Sequence, residues 1–144
     1  MQTKKGQQGF SLIELLIVVA IIGIIAAIAT MKTILNAEET YRSTKGEGNK
    51  YASQALLKTE KLLDSVVGDP AVVKSGYKYV VTAVGTDDVW FDSSGTSQQA
   101  SNGGRSFATN EAGVVYGSAS GTLTAPTFAA DDTRAVTGGT PVKN

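Results

Sequence analysis

Gly9-Phe10-Ser11-Leu12-Ile13-Glu14-Leu15-Leu16-Ile17-Val18 is the stretch on which the reading of this chain turns. A polar leader with two lysines, Lys4 and Lys5, stops at a glycine. A phenylalanine follows, and four residues later a lone carboxylate stands at the mouth of a long apolar run. From Leu15 to Met31, 17 residues pass without a formal charge. A carboxylate left unpaired at the edge of such a run costs at least ~2–3 kcal/mol in lipid. Glu14 is therefore expected to have a partner.

The apolar segment Phe10 to Met31 is 22 residues. As a helix it measures about 33 Å, enough to span a bilayer. The lysines before it favour a cytoplasmic N-terminus, and Lys32 just past the other end weakens that bias. Two bland readings compete. Ala27-Ile28-Ala29 is an A-x-A cleavage pattern, so an ordinary secretory signal would give a chain starting at Thr30. A simple membrane anchor is the other. Glu14 interrupts the start of the run, and the run exceeds a usual signal h-region; both count against the secretory reading.

Lys4, Lys5, Gly9, Phe10, Ser11, Leu12, Ile13 and Glu14, followed by the apolar helix Leu15 to Ala29 with Gly23 inside it, resemble one known pattern. It is the class III signal of type IV pilins and of the pilin-like subunits of type II secretion. The resemblance covers about the first 30 residues. It implies that a membrane-embedded prepilin peptidase cuts Gly9–Phe10 on the cytoplasmic side and methylates the new amine of Phe10. It also implies that Glu14 meets a Phe10 α-amine, its own or a neighbour's, during assembly. The helix then bundles with copies of itself in a filament, drawn out of the membrane by an assembly platform and its cytoplasmic ATPase. Gly9 suits the cut, because a residue without a side chain lets the peptidase approach closely.

The family implies a prepilin in the inner membrane that becomes a subunit of an extracellular type IV pilus, for adhesion, twitching motility or DNA uptake. Host surfaces or DNA are candidate outer partners of the fibre. A pseudopilin of a secretion system is the alternative, and a secreted domain cleaved after Ala29 the remote one. Many type IV pilins carry a proline where Met31 stands here, and this chain has none before Pro70. Slack in the helix is therefore assigned to Gly23, Gly46 and Gly48, unless the helix runs unbroken to about Lys45.

The rest of the chain divides by pattern. Residues 1–9 are the leader, 10–31 the membrane and fibre-core half of a helix, and 32–69 an amphipathic half with a break expected at 46–48. Ala52, Ala55, Leu56, Leu63 and Val67 fall near one helical face, with Leu62 and Val66 beside them. That face is expected to pack on a sheet. Gly68-Asp69-Pro70 is a stop. Residues 70–144 read as an antiparallel sheet with polar loops and an irregular tail. Its expected strands are Tyr77–Val84, Asp88–Asp92, Arg105–Thr109 and Gly113–Gly117, with an edge strand at Leu123–Thr127. Ser93 to Gly104 reads as a polar loop. Helix first and strands after predicts an α+β, pilin-like fold.

At 144 residues the chain is one domain plus a targeting or membrane segment. Large apolar side chains are scarce after residue 40, so the core is expected to be thin. Formal charge balances at 13 against 13, and no basic face for nucleic acid emerges from it. With no Cys there is no disulfide staple, and with no Cys or His there is no Ser–His or Cys–His pair. Glycine spacing matches neither a P-loop nor a dinucleotide fingerprint. A carboxylate pair stays open, but no enzyme and no cofactor are expected. Asp87-Asp88, Asp92 and Asp131-Asp132 offer oxygen ligands for Ca²⁺ in no EF-hand spacing, and they read as solvated turns. Phe10, Tyr41 and Tyr51 along the helix read as packing residues.

Overall fold

The computed structural model describes residues 9–98 and 104–143. The leader through Gln8, with Lys4 and Lys5, and the middle of the expected Ser93–Gly104 loop lie outside the described residues.

Helix α1 runs unbroken from Leu12 to Thr44, 33 residues. It starts where Ser11, in extended conformation, caps it, and nothing inside it removes a backbone donor. It ends because the chain turns left-handed immediately beyond. Gly46 N–H donates to the Tyr41 carbonyl at 2.9 Å, and Glu47 and Gly48 take φ of 53° and 83°. A Cβ on Gly46 would lie 2.1 Å from the Lys50 carbonyl oxygen, so this turn closes only around a glycine.

Beyond the Gly46–Gly48 turn, the helical pattern expected through Val67 is realised only in α2, Gln54–Thr59. The chain leaves the helix at Lys61, where φ is 59°. Side-chain hydrogen bonds to the backbone, one set buried and one exposed, account for the difference. The Gln54 side chain donates to the carbonyls of Val67 and Tyr79 and accepts from Val81 N–H. Asp64 caps the Val66 and Val67 amides at 2.9 and 2.7 Å. These bonds fold residues 60–69 back as turns, yet Leu57, Leu63 and Val67 still reach the core.

The main sheet is antiparallel throughout, in the order β1 (Val73–Lys74), β2 (Tyr77–Val84), β3 (Trp90–Ser97), β4 (Phe107–Asn110), β5 (Tyr116–Gly117) and β8 (Thr140–Pro141). A separate hairpin pairs β6 (Thr127–Phe128) with β7 (Val136–Thr137). The expected α+β layout is therefore the observed one. β2 keeps its expected bounds. β3 begins two residues later than expected and runs five further, through Ser97, so that Ser93–Ser97 is strand and not loop. The edge strand expected at Leu123–Thr127 survives only as Thr127–Phe128.

Small residues made β3 hard to read. Ser93, Gly95 and Ser97 face inward, and a Cβ on Gly95 would lie 2.9 Å from the Tyr79 ring and 3.1 Å from Met31 Cε. They let α1 lie close on the sheet. The core consists of Ala27, Met31 and Ile34 of the helix against Tyr79, Phe91 and Phe107 of the sheet.

Candidate processing and assembly site

The Gly9–Phe10 bond lies in non-helical chain directly before the cap. Phe10 is 94% exposed, and nothing comes within 4 Å of a Cβ placed on Gly9. The segment is thus non-helical, and its side chains are exposed.

Glu14 is held by the helix it helps to start. Its Oε2 accepts the Ser11 N–H at 3.1 Å, and the Ser11 Oγ accepts the Glu14 N–H at 3.2 Å. This reciprocal capping box satisfies two amides that the first turn would leave open, and it sets a carboxylate at the positive end of the helix dipole. In the uncut chain Phe10 carries an amide and not an amine, so the carboxylate's partner is the next residue along. Cutting at Gly9 would create a cation one residue from the bond Glu14 already makes.

Above this cap the helix is bare. Leu12, Ile13, Leu15, Leu16, Ile17, Val18, Val19, Ile21 and Ile22 are all exposed. Ile13, Leu16, Ile17, Ala20, Ile21 and Ile24 line a shallow apolar groove along one side. Among the described residues, one helix, α1, is long and apolar enough to cross a membrane. Gly23 lies inside this continuous helix, while Gly46 and Gly48 lie in the turn after it.

The acidic residues offered for calcium do not converge. Asp92 is paired with Arg134, Asp131 accepts from the amide and hydroxyl of Thr133, and Asp87 and Asp88 sit in a short 3₁₀ turn. No group of three or more potential ligands comes together among the described residues. Of the aromatics, Tyr51 packs on Phe91 at 5.0 Å, while Phe10 stands apart at the exposed end.

Two polar residues that the sequence reading passed over hold the head together. Glu38 is fully buried, and its Oε2 accepts the Ala52 N–H at 2.9 Å, tying the chain after α1 back to the helix. Its other oxygen has no partner. Burial pushes its pKa up to about 7 against the lowering effect of the Ala52 amide. Its position was legible: 27, 31, 34 and 38 form one helical stripe.

Arg134 is the second. Its guanidinium reaches Asp92, Glu111 (2.7 Å) and the carbonyls of Phe91 and Ala129, and it lies 5.5 Å over the Trp90 ring. It fastens the β6–β7 hairpin to β3. Burial raises the Asp92 pKa, and the arginine opposes that shift. Nothing in sequence spacing joins residues 92, 111 and 134.

The family model for the prokaryotic N-terminal methylation motif matches residues 4–30. That motif is typical of type IV pilins and pseudopilins. It implies processing by a prepilin peptidase and polymerisation of the chain with itself. No curated protein and no solved structure gives a significant match to the chain. The matched segment and the layout of helix and sheet together support a pilin-like or pseudopilin protein, a structural and usually non-enzymatic type.

Proposed function

We propose that this protein is a structural subunit of a type IV pilus. It waits in the inner membrane as a single-pass precursor, is cut between Gly9 and Phe10, is methylated on Phe10, and polymerises through α1 into an extracellular filament. The observation that carries this reading is the bare apolar half of α1, headed by a capped carboxylate and joined to a head that leaves it uncovered. A helix apolar all round and unburied belongs in lipid or against copies of itself. Packing against copies gains little over lipid, so leaving the membrane needs work. An assembly platform driven by a cytoplasmic ATPase would supply it.

The Glu14 carboxylate is assigned to the Phe10 amine of the same or a neighbouring subunit. Gly23 is assigned the slack that a proline gives elsewhere. The outer sheet face and the polar loops are the surfaces left for adhesion, motility or DNA contact. The secretory alternative fits less well, because Ala27 lies buried against the sheet and cleavage after Ala29 would remove part of the core.

Intact mass and N-terminal sequencing of the protein from the cells that make it test the reading. A chain beginning at methylated Phe10 is expected. A chain beginning at Thr30 would overturn it, because Glu14 and the assembly helix would be gone.

A further inference from the structure

The two sides of α1 meet the head at different heights. On its uncovered side the helix stays apolar and exposed through Ile25 and Ala29, and the first charge after Glu14 is Lys32. Phe10 to Ala29 is 20 residues, about 30 Å, the thickness of a hydrocarbon core. On the covered side the head begins lower. A Cβ placed on Gly23 would lie 3.6 Å from the carbonyl oxygen of Ser75, in the β1–β2 turn. Ala27, four residues on, is already fully buried. From Phe10 to Gly23 there are 14 residues, about 20 Å, too few to cross a bilayer. With the apolar side inserted to Ala29, the β1–β2 turn lies six residues below it, about 9 Å down.

The rim at that level carries exposed valines beside exposed Ser75 and a half-exposed ion pair. Val73 on the edge strand β1 is 48% exposed, and Val72 before it is exposed too. The Asp64–Lys74 ion pair, at 3.5 Å, draws the turn that carries exposed Val66 toward this edge. Lys78, opposite Val73 in the register, adds a cation beside the valines. An uncovered edge strand with valines is a liability in water unless something covers it.

We propose that the rim formed by Val66 and residues 72–76 rests in the headgroup and upper acyl layer of the bilayer while the subunit awaits assembly. The head is then docked on the membrane and does not stand clear of it. Assembly must lift this rim as well as draw out the helix. The proposal rests on the reading of α1 as an inserted helix.

The chain has no cysteine, so single labels can be placed freely. Ile17→Cys, Val73→Cys and Thr86→Cys each carry a polarity-sensitive fluorophore in the full chain. Thr86 lies at the far end of β2 from the rim. The variants are reconstituted at low density in vesicles of phosphatidylethanolamine and phosphatidylglycerol containing spin-labelled lipid. Deep-chain labels should quench the probe at 17, labels near the headgroup should quench the probe at 73 by at least half, and the probe at 86 should be unaffected. Val72→Cys repeats the reading should Val73→Cys fail to fold.

A quenched probe at 17 with an unquenched one at 73 would overturn the docked rim and leave the inserted helix standing. An unquenched probe at 17 would overturn both. A probe at 73 shielded only at high protein density, and untouched by lipid labels, would mean that a second copy covers the rim, which also overturns the proposal.

Discussion

Ile17 and Ile34 are the same residue on the same helix, yet Ile17 is 55% exposed and Ile34 is completely buried. Among the described residues, the side chains of α1 below Gly23 are exposed apart from the half-buried Ala20, and what holds this part straight is its own backbone and its cap. Above Ala27 it is the central element of a folded head. One helix thus serves two packings. The lower half is stable only in lipid or among copies of itself, and the upper half is stable because a sheet covers it. The comparison predicts that substitutions in the two halves separate cleanly, those below changing assembly and those above changing the melting of the head.

The largest effect is expected at Glu14. Glu14→Ala should leave insertion and cleavage largely intact and abolish or sharply reduce filament yield, counted by electron microscopy of sheared cells. Glu14→Gln sharpens the point, since Gln can also close a capping box. If the charge matters, the Gln variant fails as the Ala variant does. Wild-type filament numbers from either variant would sink the assignment of Glu14 to a Phe10 amine.

Next comes Arg134→Ala, in the head. Breaking a fully buried ion pair from one side costs about 3–5 kcal/mol, because the remaining charge is left uncompensated, and the partial exposure of Asp92 and Glu111 puts this loss at the lower end of that range. Here two carboxylates, Asp92 and Glu111, would face each other without their cation. Urea unfolding should show that loss, and limited proteolysis should open the chain between residues 123 and 137 first. Unchanged protease resistance there would mean that the hairpin is held by something else.

Ile34→Ala should destabilise the head by about 2–5 kcal/mol, the usual range for emptying a core site. Ile17→Ala should leave the head's thermal melt where it was, because that side chain touches none of it. A similar fall in both would erase the distinction between the halves.

Glu38 gives an effect that depends on pH, with a sign to check. Its folded pKa is raised to about 7 from 4.5, so the folded state holds the proton more tightly than the unfolded one. The head should therefore be most stable below about pH 4.5 with respect to this group, and lose stability as pH rises through about 7. The loss is of order 3 kcal/mol at pH 8. Glu38→Gln, which keeps an acceptor for the Ala52 amide, should melt higher than the parent at pH 8 and show a flatter profile between pH 5 and 8. A parent whose melting temperature is indifferent to pH over that range would contradict the buried, half-satisfied carboxylate.

Legibility followed the range of the interactions. The carboxylate Glu14 and the uncharged run after it are close in sequence, and their meaning is local; the Ser11–Glu14 box, which the structure revealed, is local too. A box closes over three residues, and a span is a matter of length. β2 was legible for the same reason, since Tyr77 to Val84 is dense in β-formers. β3 beyond Asp92 was not, because its inward residues are Ser93, Gly95 and Ser97, chosen for closeness to α1 and not for strand propensity. The helical pattern of residues 60–67 misled, because the bonds made by Gln54 and Asp64 outweigh it.

By itself the sequence determined a lone carboxylate at the mouth of an uncharged run, a helix long enough for a membrane, and the order of helix before sheet. Each follows from spacing or composition within a few turns of chain. Only the tertiary structure decided where the head begins on the helix, what the buried Glu38 binds, and what fastens the C-terminal hairpin. Those depend on the Ser75 carbonyl reaching Gly23, on Ala52 reaching Glu38, and on Arg134 reaching back some 40 residues to Asp92. Such contacts are set by how the sheet lies on α1, a packing outcome that no local pattern encodes.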